Sequence, residues 1–302
     1  MSRTLRRLLA GIVLLMAVVA AVVLFWLDRV GAFVHVEPHF AGTCQPLPLP
    51  GSAEDIRIDR SGAVAYLSVL DRGAVAEGQD ATGTILRVDL RSEPIAAAPA
   101  IESAPEGFRP RGLSLFTAPE GSQTLFVLSD PRHAPHTVEV FRREGDGAFV
   151  HSETLHNPLL FSPHSIAAVS PSQFYVTNDT GARSAFERFT ELTFGRAIST
   201  VVYYDGHSMR VVDDAIAQAS GIAASADGGR IYVGQAGARS VRVYSRDSST
   251  GDLAWVEDVK VYSSPDNLDI AEDGGIWVAA HPNLLALEKH LHNPDLRVAT
   301  QI

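Results

Sequence analysis

Residues 221–235 read GIAASADGGRIYVGQ and residues 267–280 read NLDIAEDGGIWVAA. Each is a short apolar run, an Asp-Gly-Gly turn and a second apolar run. Such turns supply the positive-φ positions that a tight hairpin needs. The same phrase recurs upstream as DIRIDRSGAVAYLSV from Asp55, GLSLFTAPEGSQTLFVLS from Gly112 and SIAAVSPSQFYVTN from Ser165. The starts at 55, 112, 165, 221 and 267 lie 57, 53, 56 and 46 residues apart. Most units carry a third run, at Gly83–Leu90, Thr137–Glu144, Ser199–Gly206 and Ser240–Asp247, in which apolar and polar residues alternate as in a strand with one buried face. A period near 50 with several strands per unit predicts an all-β fold, a β-propeller with about five blades present. A β-sandwich of irregular hairpins is the alternative. Helical signal after residue 30 is weak: Ser184–Phe194 forms either a short helix or a long excursion between strands.

Leu8 to Leu27 is twenty residues without a charge, preceded by Arg3, Arg6 and Arg7. That length crosses about 30 Å of hydrocarbon as a helix, and basic flanks stay in the cytoplasm. Residues 1–30 are therefore expected to form a signal anchor, 31–50 a linker containing Pro38, Pro46, Pro48 and Pro50, and 51–302 the propeller, outside the cytoplasm. Cleavage of the segment, which would release the domain, is the alternative.

The 302 residues carry 25 Lys+Arg against 35 Asp+Glu, a net charge of −10. That balance argues against a nucleic-acid partner, which requires clustered basic residues. The single cysteine, Cys44, excludes an internal disulfide and a Cys-based zinc site.

Several phrases, taken in order, resemble the serum paraoxonase/arylesterase family: Phe108-Arg-Pro-Arg-Gly-Leu, Ile166-AAVSPSQFYVTND, Val201-Val-Tyr-Tyr, Ala219-SGIAASADGGRIYV, Pro265-Asp-Asn and Trp277-VAAHPN. The resemblance implies a six-bladed propeller with calcium in its channel, hydrolysing lactones and aryl esters by polarising the carbonyl. It also implies that this chain stops before roughly the last blade, and that Cys44 matches a cysteine whose partner sits in that tail.

In such a fold the residues just before each repeated strand converge at the channel: Glu54-Asp55, Arg111, His164-Ser165, Ser220 and Asp266-Asn267. Carboxylate and amide oxygens suit Ca²⁺, and the ion would polarise an ester carbonyl. By resemblance, Glu54, Asp266 and Asn267 match ligands of the reactive calcium, while His164 and Ser220 replace asparagine ligands. Asp55 matches a ligand of a structural calcium whose aspartate partner is here Ser165. Arg111 replaces the histidine proposed as general base, Asp130 falls near its partner histidine, and His281, Asn178 and Asp179 are retained.

These departures leave options open. Arginine is no base at neutral pH, so a metal-bound water or Asp130 must substitute. An imidazole at 164 favours Zn²⁺, Mn²⁺ or Fe²⁺ over Ca²⁺, and gluconolactonase-type propellers make that plausible. Arg111 could instead pair with Glu54 or Asp266 and replace the cation. The expected function is a membrane-anchored, metal-dependent hydrolase of small aryl esters or lactones. The alternative is a non-catalytic binding propeller with a degraded metal site. Asn178-Asp-Thr180 also fits a glycosylation sequon.

Overall fold

The computed structural model describes residues 2–37, 39–145, 147–293 and 295–302, so Pro38 of the predicted linker lies outside the described residues. The chain opens with α1 (Arg3–Arg29), capped by the Ser2 hydroxyl, which accepts from the Leu5 amide. No residue of α1 is buried, and it is long and apolar enough to cross a membrane. Its C-terminal end rests on the β domain. Arg239 donates to the carbonyls of Asp28 and Arg29, and Arg29 donates to that of Gly237.

The strands follow as antiparallel meanders. The first sheet is β1 (Ser52–Asp59), β2 (Val64–Leu70), β3 (Thr84–Asp89) and β4 (Ala97–Pro99), with the short helix α2 (Arg72–Ala76) between β2 and β3. The second is β5 (Pro110–Thr117), β6 (Gln123–Ser129), β7 (Thr137–Arg143) and β8 (Val150–His156). The third is β9 (Pro163–Ala168), β10 (Phe174–Asn178), β11 (Ser199–Tyr204) and β12 (Met209–Ile216), with α3 (Ala185–Phe194) between β10 and β11. The fourth is β13 (Ala219–Ala224), β14 (Arg230–Gln235), β15 (Ser240–Arg246) and β16 (Leu253–Lys260). The last, β17 (Ser264–Ile270) and β18 (Ile276–His281), is a two-stranded sheet followed by α4 (Leu284–His292).

The first strands β1, β5, β9, β13 and β17 stand side by side, and hydrophobic cores fill the spaces between sheets. Tyr66, Ile85, Phe108, Leu125 and Phe141 join the first two, and Phe126, Val138, Ile166 and Phe174 the second and third. Tyr175, Val201, Ile222 and Ile231 join the third and fourth, and Ala223, Val241 and Leu268 the fourth and fifth. The arrangement is all-β and propeller-like, with four complete four-stranded blades. The expected fifth unit is present only as β17 and β18, to which Gln301 adds one bridge at Ala280.

Candidate active site

The five inner strands share one irregularity. In β1, β5, β13 and β17 two residues oppose a single residue of the partner strand, between Ala53 and Ile56, Pro110 and Leu113, Ala219 and Ile222, and Pro265 and Leu268. The extra pairs are Glu54-Asp55, Arg111-Gly112, Ser220-Gly221 and Asp266-Asn267. In β9 the ladder skips His164. A bulge re-aims side chains out of the pleat, so one irregularity, used five times, turns these residues to a common end of the channel.

Two bulge glycines let the strands close up. A Cβ on Gly112 would lie 2.6 Å from the His164 carbonyl oxygen, and one on Gly221 would lie 2.4 Å from that of Asp266. The structure thus brings together Glu54, Arg111, His164, Ser220, Asp266, Asn267 and His281. The Asn267 amide donates to the Glu54 carbonyl at 3.0 Å. Arg111 Nε lies 3.8 Å from Glu54 Oε1. His164 and His281 each place Nε2 3.1 Å from one oxygen of Asp266.

Charge follows from this packing. Burial raises the Glu54 pKa, opposed by His164 and Arg111. Burial also resists ionisation of Asp266, but the two imidazole contacts win and hold its carboxyl below the ordinary range. His164 is likewise desolvated, yet its bond to Asp266 raises its pKa. A carboxylate only accepts, so each Nε2 carries the hydrogen.

Asp55 belongs to a second, deeper layer. Its two oxygens accept from the Ile56 and Leu113 amides at 2.8 and 2.9 Å, and Arg57 Nη2 lies 3.4 Å away. Arg57 in turn donates to the carbonyls of Leu113 (2.9 Å) and Leu268 (2.7 Å). Ser165 Oγ accepts from the Ile222 amide. These groups staple neighbouring blades. A cavity of about 830 Å³ opens beyond them, at the other end of the channel, and none of Glu54, Arg111, His164 or Asp266 lines it.

Asp130 directly follows β6 and faces His136 Nε2 at 3.1 Å. Asn178 is fully buried, with its amide donating to Leu159 O and Thr200 Oγ1 and its oxygen accepting from Ser162. That side chain cannot carry a glycan on the folded domain, so the sequon is structural. Cys44 is a free, exposed thiol.

The donor set separates the two calcium positions the resemblance implies. Glu54 Oε2, Ser220 Oγ and Asn267 Oδ1 are buried without hydrogen-bond partners among the described residues. Three such oxygens, with the Asp266 carboxylate beside them, fit a hard cation. Among the described residues no three His, Cys, Asp or Glu side chains form a metal-holding group, and the His164 Nε2 is engaged by Asp266. The unpartnered ligands are therefore mostly amide and hydroxyl oxygens plus one carboxylate. The deeper position does not fit, because Asp55 is saturated by two amides and the Arg57 guanidinium.

Comparison with known proteins places the chain in a family. The rat serum paraoxonase/arylesterase 1 is 32% identical over 263 residues, 84% of this chain and 74% of its own length. The chicken serum paraoxonase/arylesterase 2 is 30% identical over 309 residues, covering 100% of this chain and 86% of its own. Among solved structures, hydrazine synthase of Kuenenia stuttgartiensis superposes with a TM-score of 0.50 at 14% identity over 82% of this chain and 70% of that one, a likeness of fold alone. The arylesterase family model matches residues 53–302, the whole β domain from its first strand to the carboxyl end, and the chain therefore belongs to the arylesterase family.

Proposed function

We propose that this chain is a membrane-anchored hydrolase of small aryl esters or lactones, with its reactive centre where the five inner-strand bulges meet. The observation that carries the reading is the set of buried, unpartnered oxygens of Glu54, Ser220 and Asn267 beside Asp266. These four residues would hold Ca²⁺, which when bound supplies a Lewis acid for the ester carbonyl. Zn²⁺ and Fe²⁺ are less suited to such oxygen ligands, whereas Mn²⁺ accepts them.

The chain's own groups do the rest. His164 and His281 fix Asp266 from both sides and keep it ionised. Arg111 has a buried Nε–H with no acceptor among the described residues. This is the kind of preorganised donor that stabilises negative charge growing on a carbonyl oxygen. Arg111 therefore acts as an oxyanion donor and not as a base. Helix α1, lying outside the β domain, anchors the chain and leaves the reactive centre outside the cytoplasm.

A second reading has its own support. Arg111 already faces Glu54, and two imidazoles already hold Asp266, so the site's charge is largely balanced from within. A non-catalytic binding propeller would look like this. Full-length chain in mild detergent, assayed on phenyl acetate and a δ-lactone with and without EDTA, separates the two. Hydrolase activity lost in EDTA and restored by Ca²⁺ supports the first reading. Absence of turnover with every metal, together with calorimetry showing no Ca²⁺ binding, leaves the second. Carbonate extraction of membranes should retain the full chain, and its release into the soluble fraction would remove the anchor.

A further inference from the structure

Position 111 cannot supply a general base, yet the structure holds a histidine at the same end of the channel. β6 ends at Ser129, paired with Pro110 at the start of β5, and β7 begins at Thr137. The intervening loop, Asp130-Pro131-Arg132-His133-Ala134-Pro135-His136, therefore hangs beside Arg111. Its start is pinned by the Asp130 amide, which donates to the Arg109 carbonyl at 3.0 Å. Two prolines restrict its backbone. His136 is three-quarters buried and stands with Nε2 3.1 Å from Asp130 Oδ1.

We propose that His136, oriented by Asp130, is the general base of this enzyme. The inference rests on the hydrolase reading. Asp130 accepts from Nε2, which leaves the Nδ1 lone pair to take a proton. As water oxygen bonds to the carbonyl carbon, its proton passes to Nδ1. When the carbon–oxygen bond of the ester breaks, that proton goes to the departing oxygen, so ester plus water yields acid plus alcohol and His136 is restored. The charged groups acting on His136 are Asp130 from its own loop, Arg111 from β5 and Asp179 from the end of β10. Burial lowers its pKa most, Asp130 and Asp179 oppose this, and Arg111 adds to the lowering. The ring is therefore neutral at pH 7 and ready to accept.

The test uses full-length chain in detergent with phenyl acetate and a δ-lactone across pH 5–9. General-base catalysis contributes roughly 10²–10⁴-fold, so His136→Gln should lower kcat at least about a hundredfold while KM changes little. Imidazole added to His136→Ala should restore part of the rate. The acidic limb of the kcat/KM profile should lie below that of an ordinary histidine. Asp130 raises the His136 pKa, so Asp130→Asn should move this limb to still lower pH. His207→Gln, on an exposed turn, should match wild type. Wild-type kcat in His136→Gln, or an unmoved limb in Asp130→Asn, overturns the base assignment and leaves the hydrolase reading standing. A wild-type chain that turns over neither substrate removes the hydrolase reading, and this assignment with it. Should His136→Gln fail to fold, the limb in Asp130→Asn decides.

Discussion

At the residue scale, the decisive feature is which polar atoms lack partners. A buried acceptor left unpaired costs about 1–3 kcal/mol, and here three such oxygens stand at the same end of the channel. His164 is the residue most at odds with a cation, because it holds one Asp266 oxygen and carries a raised pKa. Replacing it with Asn removes the imidazole N–H, frees that oxygen and adds an amide carbonyl. We expect His164→Asn to tighten Ca²⁺ binding about tenfold by calorimetry, and Glu54→Gln to weaken it by at least as much. Unchanged affinity in both would move the ion elsewhere. The convergence of Glu54, Asp266 and Asn267 was legible from their place just before repeated strands, and Asp266, Asn267 and His281 also stand in phrases with a family likeness. The contacts of Arg57 and His136 were not legible. Arg57 sits in an ordinary-looking apolar–polar alternation, Ile-Arg-Ile, and only the bulge beside it makes that polar position face the channel. His136 was one of 11 histidines, and its partner becomes visible only when β6 and β7 bring the two ends of their loop together.

At the element scale, the repeated bulge is what converts a generic meander into a site. It demands small residues where neighbouring inner strands touch. A methyl group on Gly221 would overlap the Asp266 carbonyl and approach the Asn267 Cα to 2.8 Å. Overpacking of this kind costs about 1–3 kcal/mol. Gly221→Ala should therefore lower the unfolding free energy by that amount in a denaturant titration, and should also weaken Ca²⁺ binding by displacing two ligands. Gly147→Ala, where a Cβ meets nothing within 4 Å and the backbone is not left-handed, controls for the general effect of losing a glycine. The inner and central strands were predictable from the repeated run–turn–run phrase, and the third strand of the first four units from period-two alternation. The outermost strands β4, β8, β12 and β16 were not, since β8 and β16 are mostly exposed and show no clean alternation. Helix α3 realises one of the two expected options for 184–194, with Ser184 as its cap and Gly195 in the left-handed conformation at its end. Helix α4 was unforeseen, although Asn283, which accepts from the Ala286 amide, is an ordinary start signal.

At the scale of the whole molecule, the question is what joins the first sheet to the two-stranded last one. Side chains from β1 and from Arg60 just after it do much of it. Arg57 donates to Leu268 in β17 as well as Leu113 in β5, Arg60 pairs with Asp269 at 2.8 Å, and Asn267 returns a bond to Glu54. The Arg60 pair is about 30% exposed on each side and contributes little. Arg57 and Asp55 are a different case, with 12% and 1% of their side chains exposed. Removing one member of a buried pair leaves the other charge without its partner and costs about 3–5 kcal/mol. Arg57→Met should accordingly lower stability by about that much and loosen β1, β5 and β17 together, seen as faster amide exchange at Leu113 and Leu268. Asp55→Asn in the same background should recover only part of the loss, because it removes the buried carboxylate but turns an NH2 group toward the Ile56 or Leu113 N–H. If the deeper position instead held a cation, Arg57→Met would uncover it, and added Ca²⁺ would restore the stability that the double variant recovers. A single variant as stable as wild type, with exchange unchanged at both carbonyl-bearing strands, would mean that the blades are held by their apolar interfaces alone and that the guanidinium is a passenger in the channel.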